Sequence, residues 1–106
     1  MPDLTPVADL PPSAEIASRL ESLLRDRETV LRELEPRALP TVDPVAYQTA
    51  ASHRAVIRQL TDALERVAAG TYGLCGRCGE PIAPARLEVL PQASACIECQ
   101  SLVDAA

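Results

Sequence analysis

Two cysteine pairs constrain this chain more than any other feature. Cys75-Gly-Arg-Cys78 is followed, after 17 residues, by Cys96-Ile-Glu-Cys99. A C-x-x-C unit turns the chain so that two sulfurs face one point. Two such units separated by a short span can close a tetrahedron of thiolates around one ion. Four cysteine ligands leave no position for water, so the site predicted here is structural rather than catalytic, and Zn²⁺ is the ion that suits it best. Iron in the same four-sulfur geometry is the chemical alternative. A pair of redox C-x-x-C motifs is a weaker one, because no thioredoxin-like strand pattern precedes either pair. Gly79 directly after the first pair permits a tight turn that can aim backbone N–H groups at sulfur.

The chain around this site is built for helices. Its 106 residues contain no Trp or Phe, so the 47% hydrophobic fraction rests largely on alanine, which favours helix but buries little area. Ile16, Leu20, Leu23, Val30 and Leu34 recur at steps of three and four, with Arg27 in the one missing place, and Leu24 and Leu31 widen the stripe. This pattern predicts a first helix over 13–35, with Ser13 capping its start and Pro36 ending it. Glu15–Arg19, Glu21–Arg25 and Glu28–Arg32 have the spacing of ion pairs on its solvent faces. Asp43-Pro44 then reads as a strong helix start. A second stripe through Ala50, His53, Ile57, Leu60, Leu64 and Val67 predicts a helix over 44–69, with Asp62–Arg66 as another charge pair and Gly70 as a left-handed cap. His53 falls on the apolar stripe far from the cysteines, which makes it a seam residue before it is a ligand or pH sensor.

Two helices of similar length joined by the short connection 36–44 are antiparallel neighbours. The expected fold is therefore mainly α: an antiparallel helical hairpin, or coiled coil, with a small four-cysteine zinc-finger module. Its divisions are a flexible tail over 1–12, the hairpin over 13–70 with its tip near 36–46, and the zinc module over 71–106. Within that module a short helix near 84–89 and a last short helix after Cys96 are expected, with Ile82 and Leu87 as core. The competing packing would close the seam against a second copy.

The formal net charge is −5 and the pI about 4.8. An acidic chain without a basic arm is a poor match for nucleic acid, so no sequence-specific DNA binding is expected. It suits a protein partner with a positive surface or channel. No apolar run approaches membrane-spanning length, and the opening residues lack the regions of a signal peptide. Reduced, metal-binding cysteines point to a cytoplasmic location. The single histidine on the seam, with no phosphate loop and no H-E-x-x-H motif, argues against an enzyme.

Gly73, Cys75-x-x-Cys78, Ile82, Arg86, Pro91 and Cys96-x-x-Cys99 resemble the zinc-finger signature of the DksA/TraR family of bacterial transcription regulators, with matching spacings throughout. Gly76 replaces the acidic or small polar residue often found after the first cysteine. The clear likeness covers roughly residues 60–102. It implies one structural zinc ion and a protein that binds RNA polymerase rather than DNA. In larger members a coiled coil enters the secondary channel, with acidic tip residues near the active site, and some act together with ppGpp. The tip pattern Asp-Pro-x-Asp-x-Ala is matched here by Asp43 and Pro44, while Ala46 stands at its second Asp position and Gln48 at its Ala position. Asp43, Pro44 and Ala46 are thus the partner-binding candidates, and Asp43 has an independent use as a helix cap. The few residues after Cys99 are not expected to supply the long C-terminal helix of the larger members. The alternative function is a zinc-stapled adaptor or scaffold with a different protein partner.

Overall fold

The structure is a computed structural model that describes residues 10–105. It contains four helices: α1 (Ser13–Leu34), α2 (Pro44–Ala69), α3 (Pro84–Val89) and α4 (Ile97–Asp104). A single 3₁₀ turn, Glu35–Arg37, follows α1. The first nine positions of the expected tail lie outside the described residues. Leu10 is packed against the core of the zinc module.

α1 and α2, of 22 and 26 residues, form an antiparallel hairpin that gives the molecule its 60 Å long dimension. Ser13 is not the cap of α1. Pro12 holds that place with an extended ψ of 148°, no side chain caps the end, and Ser13 is the first helical residue. The carbonyl of Pro12 instead accepts from the N–H groups of Glu15 and Ile16. At the other end, Pro36 has no N–H with which to extend the α-helical ladder, and the chain tightens into the 3₁₀ turn. α2 starts as the sequence predicts: Asp43 Oδ1 accepts from Ala46 N–H at 3.0 Å, with Pro44 in the first helical position. It ends at Gly70, whose φ of 77° is the left-handed conformation that glycine adopts without steric cost.

The seam has two parts. Near the base, Leu20, Leu60 and Ala63 are buried, flanked by Ile16, Val56 and Val67. Near the tip, Leu34 packs on Ala46 and Ala50. The three alanines on α2 let the backbones approach closely. His53 and Arg27 lie on the seam, as their places on the two stripes require. They face each other, with Arg27 Nη1 3.2 Å from His53 Nδ1. Val30 departs from expectation and is exposed, while Leu31, on the widened stripe, packs at the tip end as expected. A straight helix has 3.6 residues per turn, so a stripe drawn with a strict three-four rhythm drifts around the helix within two heptads.

The expected i,i+4 ion pairs are not formed. The salt bridges among the described residues are Arg37–Asp43 at 3.5 Å and Arg54–Glu35 at 3.4 Å, both at the tip end. Arg19 and Arg66 donate to carbonyls of the zinc module. An exposed i,i+4 pair stabilises by only about 0.3–0.5 kcal/mol, too little to hold an arginine away from a carbonyl on a neighbouring segment.

A single thin seam makes each large buried side chain costly to remove. Leu60→Ala is expected to destabilise the chain by about 2–4 kcal/mol, read as a lowered midpoint in denaturant unfolding. Val30→Ala should stay within about 0.5 kcal/mol of the parent.

Candidate metal centre

The zinc module is folded by turns rather than by a sheet. A lone antiparallel bridge pairs Leu74 with Pro81 and brackets the first cysteine pair. Cys75 N–H donates to Glu80 carbonyl at 2.8 Å, and Gly79 N–H donates back to Cys75 carbonyl at 2.9 Å. Gly79 closes this knuckle with φ 78°. The second pair is shaped by a helix start. Cys96 is the N-cap of α4, and its Sγ accepts from Cys99 N–H at 3.5 Å. Gly76 N–H donates to Ser94 carbonyl at 2.8 Å and ties the two knuckles together. A Cβ added at Gly76 would lie 3.5 Å from that oxygen, an ordinary contact, so the glycine at this position is not forced by space.

The four Sγ atoms of Cys75, Cys78, Cys96 and Cys99 all lie within 4.8 Å of one another, with Cys78 and Cys96 3.9 Å apart. Zn–S bonds of about 2.3 Å in a tetrahedron require sulfurs about 3.8 Å apart. The donor set therefore fits one zinc ion, which in this place cross-links two turns and offers no open position. Cys75 and Cys99 are buried while Cys78 is exposed, so the centre lies at the edge of the module's core of Ile82 and Leu87.

The thiols respond differently to this crowding. N–H groups of Cys78, Cys96 and Arg77 point at the Cys75 sulfur and hold its pKa down at about 6, against the opposing effect of burial. The Arg77 N–H is 3.4 Å from that sulfur. Cys99 is pushed up to about 12, chiefly by its hydrogen bond with Cys96, then by burial and by its other sulfur neighbours. At Cys78 the Glu80 N–H favours the thiolate, but burial and the hydrogen bonds shared with Cys75 and Cys96 outweigh it, and its pKa is raised. A cluster of thiolates without a cation repels itself, so protons remain where zinc would otherwise supply the positive charge.

The segment leading into Cys96 is held through its backbone, from the hairpin by Arg66 and from within the zinc module by Tyr72 and Arg86. Tyr72 Oη donates to Pro91 carbonyl at 2.8 Å, Arg66 Nη2 to Ala93 carbonyl at 3.3 Å, and Arg86 Nε to Ala95 carbonyl at 3.1 Å. Arg86 stands out in the sequence through its place in the signature, and Arg66 only as the expected partner of Asp62, a pair the fold does not form. Tyr72 is a structural position that neither motif nor periodicity marks. Tyr72 also packs against both the hairpin core and the zinc core, and burial raises its hydroxyl pKa.

The partner-binding candidates lie at the opposite end of the hairpin. Asp43 is partly exposed, capping α2 through Oδ1 and meeting Arg37 through Oδ2. Pro44 is exposed. Ala46 is only 4% exposed and packs under the tip with Leu34 and Ala50. Its side chain therefore serves the seam and not a surface.

The prokaryotic dksA/traR C4-type zinc finger matches residues 70–104. The chain is 36% identical over 95 residues to the RNA polymerase-binding transcription factor DksA of Caulobacter vibrioides, covering 80% of this chain and 67% of that protein. This chain belongs to the DksA/TraR family. It is also 33% identical over 100 residues to an uncharacterized protein of Aquifex aeolicus, with 85% and 69% of the two chains covered. The fold is similar to transcription factor DksA2 of Pseudomonas aeruginosa, with a TM-score of 0.54 at 26% identity over 87% of this chain and 77% of that one. The mainly helical architecture and the C4 zinc centre are thus those of the family.

One Zn²⁺ per chain is expected from elemental analysis of gently purified protein. Because the sulfur cluster raises the pKa of Cys78 and Cys99 above the ordinary thiol value, zinc uptake at neutral pH should release at least the protons of these two thiols. Affinity should therefore rise with pH and fall on acidification. A titration in weakly buffered indicator solution reads this directly. Uptake without proton release would contradict the assignment.

Proposed function

We propose that this chain binds RNA polymerase and modulates transcription initiation, with its hairpin inserted in the secondary channel and no specific contact with duplex DNA. The observation that carries the reading is the 36% identity to a DksA named for RNA polymerase binding, with 95 residues aligned. Charge supports the same view. The chain carries −5, and four thiolates around one Zn²⁺ add −4 + 2 = −2, giving −7. Such a protein is repelled by phosphate backbones and drawn to a basic channel. A C4 site with no open coordination position gives no catalytic role, and the protein is read as a cytoplasmic regulator rather than an enzyme. The second reading, a zinc-stapled adaptor for another protein, draws on Ala46, whose burial withholds the second acid position of the tip from any partner.

In this proposal Asp43 and Pro44 stand at the end carried furthest into the channel. The Asp43 carboxylate acts by its field on nearby loops, nucleotide or Mg²⁺, an effect that requires no chemistry by this chain. Asp43→Asn separates action from binding. Asparagine caps a helix about as well as aspartate, and the Arg37 pair that is lost is exposed and weak. The variant should keep polymerase affinity within about twofold and lose most of the effect on initiation. The measurements are capture of purified polymerase by the tagged chain and transcription in vitro, with and without ppGpp. Unchanged regulation by Asp43→Asn would remove this carboxylate from the mechanism, and failure of the parent chain to retain polymerase would favour the adaptor. Titration with duplex DNA at physiological salt should show no sequence-dependent binding.

A further inference from the structure

The acidity of the chain is absent from its tip. Between residues 35 and 54 the acids and guanidinium groups are Glu35, Arg37, Asp43 and Arg54, and each is paired with another of the four. The tip therefore carries no net charge, and the whole −5 resides elsewhere. What the tip does expose is apolar. Leu39, Val42, Val45 and Tyr47 are 53%, 66%, 74% and 44% exposed, within nine consecutive residues. Single exposed apolar side chains are ordinary, but four within nine residues at one projecting end are a concentration that a binding role would account for.

The backbone beneath them is held in place. Leu39 carbonyl accepts from both Val42 and Asp43 N–H, at 3.1 and 3.0 Å, and Leu39 N–H donates to Arg37 carbonyl at 2.9 Å. Pro36, Pro40 and Pro44 restrict the same stretch. Little conformational freedom is left to lose on docking, which lowers the cost of binding.

We propose that the tip is a rigid apolar plug: Leu39, Val42, Val45 and Tyr47 seat in an uncharged, apolar recess of RNA polymerase and provide most of the grip. This rests on the polymerase-binding reading above and assigns binding and action to different atoms. The valines hold, and the Asp43 carboxylate acts. An acidic tip would be drawn to a basic or metal-bearing site. With its charges paired, this tip gains little binding from such a site, and the complement its exposed side chains fit is apolar; the attraction to a basic channel comes from the charge outside the tip.

The test uses the zinc-loaded full chain and purified RNA polymerase. The double variant Val42→Ser, Val45→Ser touches exposed positions only, so helicity and thermal midpoint should match the parent. Its polymerase affinity should fall at least tenfold, while Val42→Ile with Val45→Ile should retain parental affinity. Raising salt screens the charge outside the tip and should weaken the parent and the serine variant in the same proportion if the tip contact is apolar. Parental binding that survives the serine changes would overturn the apolar plug and leave polymerase binding standing. No binding by the parent would sink both readings. Sedimentation that shows concentration-dependent dimers of the parent, abolished by the serine changes, would instead assign the patch to a second copy of this chain and overturn the proposal.

Discussion

Four sulfur atoms within 4.8 Å of one another repel as thiolates and pack poorly as thiols. The base of this protein is built around the resolution of that conflict by one divalent ion. Its core consists of little more than Ile82, Leu87 and the two buried cysteines themselves. No sheet supports it, and α3 and α4 are six and eight residues long. Helices of that length are marginal on their own. One ion bound by Cys75, Cys78, Cys96 and Cys99 would hold together turns that area burial alone would not, which would couple folding of the module to metal binding.

The hairpin depends on that base in turn. Two helices share one seam, with small alanine contacts over much of it. What ties the hairpin to the zinc module is a pair of that module's backbone carbonyls, Glu88 and Ala93, accepting from Arg19 of α1 and Arg66 of α2, while Tyr72 and Arg86 hold the row's other carbonyls, Pro91 and Ala95, from within the module. The next residue is Cys96. Metal, knuckle, carbonyl row and helix thus form one continuous path, with Tyr72 packed on both cores. Arg66 contributes at some cost, since its Nε is buried without a partner.

Much of this was legible in the sequence because it rests on local rules. Cysteine spacing marks the metal centre. Asp43-Pro44 and Gly70 mark both ends of α2, where a cap and a left-handed residue act within one turn. Pro84 and Cys96 open the short helices. The parts that were not legible depend on register and on distant segments. Ala50 lay on the expected stripe and is buried, but Ala46 and Ala63 are core only because the partner helix lies close, and alanine gives too weak a periodic signal to mark them. Val30 looked like a seam residue only because a strict rhythm ignores helical drift. The fate of the arginines was hidden for a related reason. Spacing shows a neighbouring acid on the same helix, but not a carbonyl of Glu88 or Ala93 brought near by the fold.

The tip shows why a motif must be judged by where its residues point. Asp43 matches the family's opening acid, yet Oδ1 is spent on the helix cap and Oδ2 faces Arg37. Position 46 sits in the first turn of α2, where its N–H closes the cap and its methyl is sealed under Leu34. An aspartate there, with the same backbone, would place a carboxylate against an apolar cluster and require either protonation or a change of packing. Alanine at 46 therefore goes with a closed, dry junction between the helices at the tip. The apolar side chains that point outward are carried on that closed support, and a carboxylate pointing inward would have loosened it. Loss of the second acid and gain of a firm apolar end are two consequences of one packing choice.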